Sequence, residues 1–133
     1  MNILAVDFGT KRVGLAWADT TLGVVLPYGL IEQEKMDKKV KELGELLAKE
    51  RIDQVIVGFP FSLKGGENKN TDRIKQFVFE LQKVTKLPIE YVDERFSSYG
   101  GDAAGAGVSR DERSAMFILE GYLASLKRKN SKA

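Results

Sequence analysis

Asn2-Ile3-Leu4-Ala5-Val6-Asp7-Phe8-Gly9-Thr10 is the stretch on which the fold turns. Its first half is a near-continuous apolar run, the pattern of a strand covered on both faces rather than one. Asp7 closes that run. A carboxylate at the end of a buried strand is costly unless it is paired, hydrogen-bonded or metal-bound, although an Asp can also simply cap a β-turn. Gly9 allows a tight turn and lets a phosphate approach the backbone closely. Ligands in α/β folds gather at the carboxyl ends of sheet strands, which makes Asp7 the most informative single position.

Working outward, Val13 to Ala18 resumes the strand pattern after the first turn, and Asp19-Thr20-Thr21-Leu22-Gly23 turns again into a third strand, Val24 to Ile31. Connections this short imply antiparallel neighbours, a three-strand meander. Met36, Val40, Leu43 and Leu47 then recur at helical spacing, with lysines and glutamates between them. Ile52 to Gly58 reads as a fourth strand, and residues 62–70 as a polar loop. Ile74, Phe77, Val78, Leu81 and Val84 line one face of a second helix, with Asn70 or Thr71 as its expected N-cap. Phe77 and Phe79 are both expected to pack, as is Trp17. Leu87 to Val92 is a fifth strand running into Asp93-Glu94-Arg95, and a last helix over about 111–128 buries Ala115, Ile118, Leu119, Tyr122, Leu123 and Leu126. The order is a meander followed by right-handed crossovers that add parallel strands: an α/β, mixed five-stranded sheet flanked by helices, as in the ribonuclease-H-like fold.

The 133 residues include 21 Lys+Arg and 19 Asp+Glu, with no Cys and no His. The length fits one domain, expected over residues 1–126 with a basic tail over 127–133. Without cysteine there is no disulfide, thiol nucleophile or thiolate zinc site. Without histidine, Ser-His-Asp triads and imidazole bases fall away. What chemistry remains belongs to carboxylates, lysines, hydroxyls and backbone, or to an oxygen-liganded metal such as Mg²⁺ or Mn²⁺. The near-balanced formal charge of +2 gives no general reason to expect nucleic acid. No apolar run is long enough for a signal peptide or a membrane span, so the expectation is a cytoplasmic protein with no membrane partner, either a monomer or a weak dimer.

Asp93-Glu94 ends its strand much as Asp7 does. If both strands run parallel in one sheet, Asp7 and Glu94 could face a common point, with Asp111 at the start of the last helix as a third acid. Taken singly, Glu94 reads as a surface turn and Asp111 as an ordinary first-turn acid. Three converging carboxylates would repel one another unless a divalent cation neutralised them. Other motifs fail: Leu15 and Ala16 stand where a P-loop beginning at Gly9 needs Lys and Ser/Thr, and the dinucleotide fingerprint beginning at Gly105 breaks at Arg110.

Asp7-Phe8-Gly9-Thr10-Lys11-Arg12-Val13-Gly14, Val57-Gly58-Phe59-Pro60, Asp93-Glu94-Arg95-Phe96-Ser97-Ser98, and Asp111 ahead of Ile118-Leu119-Glu120-Gly121-Tyr122-Leu123 together resemble the YqgF (RuvX) family of ribonuclease-H-like proteins. The resemblance spans nearly the whole chain. It implies a bacterial, cytoplasmic nuclease that processes pre-16S rRNA during ribosome biogenesis or, by analogy with RuvC, a Holliday junction resolvase. It also implies that Asp7, Glu94 and Asp111 are the acidic catalytic residues and metal ligands, working by two-metal phosphodiester hydrolysis with Mg²⁺ or Mn²⁺. Lys11, Arg12 and Arg95 are then expected to hold the backbone of structured RNA or branched DNA. The segment before Asp111 is shorter than in the family and holds Gly100, Gly101, Gly105 and Gly107, which leaves Glu112 and Asp102 as alternatives for the third acid. Two other readings compete. One is a nucleic-acid- or ribosome-associated binding protein with a vestigial site. The other is a nucleotide-binding relative of actin and the sugar kinases, an architecture that needs two such lobes where 133 residues supply one.

Overall fold

The computed structural model describes residues 1–60, 69–93 and 107–130. The chain order is β1 (Asn2–Asp7), β2 (Val13–Asp19), β3 (Val25–Ile31), α1 (Met36–Lys49), β4 (Gln54–Phe59), α2 (Lys69–Val84), β5 (Ile89–Asp93) and α3 (Arg110–Asn130). The strands form one five-stranded sheet in the order β3-β2-β1-β4-β5. β1–β2 and β2–β3 are antiparallel, while β4 runs parallel to both β1 and β5. This is the meander with two added parallel strands that the turn lengths predict.

Parity in β1 sorts the core. Leu4 and Val6 pack under α1 and α2 with Leu43, Leu47, Phe77 and Leu81. Ile3 and Ala5 pack under α3 with Ala115, Ile118 and Leu119. Successive strand side chains point to opposite faces, so a strand sandwiched between helix layers is apolar at every position. On the α3 side the sheet presents Ala5, Ala16 and Ala18, small residues that let one long helix lie close. Gln54 Nε2 donates to the Tyr122 hydroxyl at 3.0 Å, tying the middle of α3 to β4.

The first sheet edge, β3, is irregular. Leu15 pairs with Gly29 but Ala16 pairs with Pro27, so Tyr28 is the extra residue of a bulge. Gly29 supports this with φ +125, a backbone conformation open to glycine. The turn into β3 is closed by the Asp19 carboxylate, which accepts from the Thr21 amide at 2.9 Å.

Several expectations need correcting. α2 begins at Lys69, so Asn70 and Thr71 lie inside its first turn rather than at its N-cap. Phe79 and Val84 are exposed, at 59% and 55%: Phe79 falls off the stripe that contains Phe77, and Val84, the last residue of α2, lies beside Gly44 of α1 with the rest of its side chain in solvent. Lys39, one of the lysines between the apolar positions of α1, is 2% exposed. Met116 and Phe117 are buried beside the expected stripe of α3, and Lys127 to Asn130 continue that helix rather than starting a tail. Of the Gly-rich stretch from Tyr99 to Gly107, only Gly107 lies within the described residues.

Leu43→Ala is expected to cost about 2–5 kcal/mol, as for other fully buried leucines, whereas Phe79→Ala should change stability by less than about 0.5 kcal/mol. Urea unfolding midpoints of the two variants check this.

Candidate active site

The site is built from the end of β1 upward. In β1 the odd positions Ile3 and Ala5 face α3, and the half-buried Asp7 shares their parity. Its partner across the antiparallel ladder is Gly14 of β2. Opposed residues in such a ladder lie about 4.5–5.5 Å apart at Cα, so whatever rests on Gly14 rests beside Asp7.

What rests on Gly14 is Asp111. A Cβ added at Gly14 would overlap the Asp111 carbonyl and come within 2.9 Å of the Asp111 Cβ. Glycine here serves close approach: without a side chain at this position, the first turn of α3 can touch the sheet. Asp7 and Asp111, 104 positions apart in the chain, are thereby brought to one rim of one face.

The opening of α3 decides which acid is available there. Ser109 Oγ accepts from the Glu112 amide at 3.1 Å and lies 2.9 Å from Glu112 Oε1, which in turn accepts from the Ser109 amide at 3.3 Å. This is a reciprocal capping box. It occupies the Glu112 carboxylate in holding the helix start, whereas Asp111, one position earlier, is half-buried at the rim. The Ser109-Arg110-Asp111-Glu112 spelling was a readable signal for the cap, and sequence reasoning passed over it.

Parallel pairing brings the third strand end level with the first two. Val6 pairs with Val57, and Phe59 pairs with Asp93, so the carboxyl ends of β1, β4 and β5 share one edge of the sheet. Val92 packs in the α3-side core, and by alternation Asp93 belongs to the opposite face. Glu94, Arg95 and Asp102 lie outside the described residues. Among the described residues no three acids gather closely enough to hold an ion together. The pair at the rim does suit a small hard cation, because carboxylate oxygens are the donors that Mg²⁺ and Mn²⁺ prefer.

The turn joining β1 to β2 leaves Thr10, Lys11 and Arg12 exposed next to Asp7. Gly9 keeps it tight, since a Cβ there would overlap the Arg12 carbonyl. Below the turn, Phe8 packs on Phe77 with ring centroids 5.0 Å apart. The Lys39 ammonium reaches the turn from α1, donating to the Thr10 carbonyl at 2.6 Å. Burial pushes its pKa below that of an ordinary lysine; Glu34 opposes that shift and Arg73 reinforces it. The sequence held no sign of this contact beyond one lysine among several in α1.

A meander extended by parallel strands, with an acid at the end of its first strand and a long helix whose first turn meets that strand end, defines the ribonuclease-H-like class of α/β proteins. Residues 1–125 match the family model described as "RuvX: Holliday junction resolvase", and the chain belongs to that family. It is 35% identical over 133 residues to a protein of Maridesulfovibrio salexigens named "Putative pre-16S rRNA nuclease", covering 93% of this chain and 98% of that one. A protein of the same name from Dictyoglomus turgidum is 31% identical, over 95% and 96% of the two chains. Among solved structures, Thermus thermophilus RuvC in complex with a Holliday junction substrate superposes with a TM-score of 0.67 at 13% identity, over 96% of both chains. A Streptococcus pneumoniae ROK family protein in complex with sucrose reaches 0.54 at 15% identity, but only over 73% of this chain and 36% of that one. At these identities the structural likenesses speak for the fold.

Gly14→Ala is expected to destabilise the protein by about 1–3 kcal/mol through overpacking against Asp111. Alanine in place of an unhindered glycine would be neutral or mildly stabilising. Denaturant titration distinguishes the two.

Proposed function

We propose that this protein is a divalent-metal-dependent nuclease that hydrolyses phosphodiester bonds in structured RNA, with the 5′ end of pre-16S rRNA as its cytoplasmic substrate. The observation that carries the proposal is the seating of Asp111 on Gly14, directly across the ladder from Asp7. Two acids of opposite chain ends share a rim there, with two exposed cations on the adjoining turn. The names of the curated relatives supply the substrate.

In this reading Asp7 and Asp111, together with Glu94, would hold Mg²⁺ or Mn²⁺. A cation held there would activate the attacking water and offset the charge that builds on the phosphate. The chain's own residues do the rest. Lys11, Arg12 and Arg95 neutralise backbone phosphates, contacts that position a strand without reading its sequence. Glu112 keeps the α3 start in place through Ser109, so that Asp111 meets the rim in one orientation. Water adds to phosphorus and a bridging P–O bond breaks, with no need for the histidine that the chain lacks.

A second reading has its own support: the family description names Holliday junction resolution, which makes branched DNA the alternative substrate. Among the described residues no helix is long and apolar enough to cross a membrane.

Asp7→Asn is expected to lower Mg²⁺- or Mn²⁺-dependent cleavage by at least ~10³-fold, the scale of losing a group needed at the transition state, with an unchanged melting temperature. Cleavage of a precursor-rRNA 5′-end transcript and of a synthetic four-way junction, each with wild type and variant, decides both role and substrate. Equal cleavage by wild type and variant would reject the site.

A further inference from the structure

Among the described residues, Lys39 is the only buried side chain that carries a charge. Its place is unfavourable on several counts. It sits in the first turn of α1, where the helix dipole disfavours a cation, and Lys35, the N-cap residue, makes no side-chain cap there. Its ammonium is withdrawn from water, which costs stability that an apolar chain of the same length would not.

Its partners are specific. Helical side chains lean toward the helix N-terminus, and Lys39 Nζ follows that lean to two backbone carbonyls, Thr10 at 2.6 Å and Glu34 at 3.1 Å. It also stands 5.1 Å from the centroid of the Phe8 ring, within the range of a cation–π contact. Phe8 and Thr10 flank Gly9 in the turn that leaves Asp7. The ammonium therefore grips that turn twice, once on the Phe8 ring and once on the Thr10 carbonyl. The next two residues, Lys11 and Arg12, are exposed. Thr10 is itself exposed, yet its carbonyl is held by an ammonium drawn out of water rather than left to solvent. Local stability does not account for the contact, whereas fixing the turn does.

We infer that Lys39 is a positioning residue for the nucleic-acid backbone: it pins the Thr10 carbonyl and so holds Lys11 and Arg12 toward a phosphate at the Asp7 rim. The substrate side of this inference rests on the nuclease reading above, while the pinning can be measured without it.

Lys39→Met keeps an unbranched apolar stem, one atom shorter than that of lysine, and removes the donor. The variant should melt no lower than wild type and exchange amide hydrogens faster across residues 9–13 but not in β1. Its KM for a precursor-rRNA 5′-end transcript should rise about tenfold, the net worth of one charge-assisted hydrogen bond, with kcat nearly unchanged. In a Lys11→Ala/Arg12→Ala background the same substitution should leave KM alone, because the groups it positions are gone; a merely structural lysine would give an additive penalty instead. Unchanged exchange across residues 9–13, or a KM penalty that persists in that background, overturns the inference. If the wild type cleaves no substrate, the nuclease reading fails. The Kd of the same transcript then replaces KM: tenfold weaker binding by Lys39→Met supports the positioning role, and equal binding overturns it. Should Lys39→Met not fold, Lys39→Gln carries the same measurements, since it keeps a polar tip but loses the charge and ends one atom short of the ammonium that bonds Thr10.

Discussion

Strand β1 lies under helices on both sides, and that double cover constrains everything near it. Each of its side chains is committed by parity to α1 and α2 or to α3, and neither face can admit a charge until the strand ends. Asp7 stands at that end, on the α3 side, opposite a residue with no side chain. The absence of a Cβ at Gly14 is what lets α3 begin in contact with the sheet. A bulkier residue there would lift the helix start, and Asp111 with it, while leaving the sheet intact. The relation between the two acids therefore depends on van der Waals contact at a glycine as much as on the acids themselves.

Around that contact the local devices agree in direction. The capping box fixes the phase of α3, and with it which of two neighbouring acids faces the rim. The alanines under α3 let the helix lie close along its length. On the other face, Phe8 and Lys39 hold the turn that leads away from Asp7. The helix layers thus fix both ends of the candidate site, α3 through Asp111 and α1 through Thr10.

Much of this could be read in the sequence. The doubly apolar β1, the short turns of the meander and the helical periods of α1 and α2 announce their elements, because strand and helix periods differ and short connections force antiparallel pairing. Asp7 and Asp111 stood out as acids at element ends. The rest was hidden for physical reasons. A lysine is a solvent-face residue by type, and only the path of its four-carbon stem shows that Lys39 turns inward. Phe79 is apolar by type but falls outside the arc that meets the sheet. Gly14 carries no periodic signal, since its importance comes from a helix nearly a hundred positions further on. The choice between Asp111 and Glu112 was open because it depends on a side-chain hydrogen bond rather than on spacing.

The irregular border of the sheet has a consequence for how the molecule meets its neighbours. A straight outer strand would offer a row of unsatisfied amides to any other chain in the cell, including another copy of itself. Pro27 has no amide to offer, and the bulge at Tyr28 breaks the register on which a docking strand would depend. Along β3 the sheet therefore offers no continuous template, and a partner that meets this border must be engaged through side chains rather than through an extended ladder.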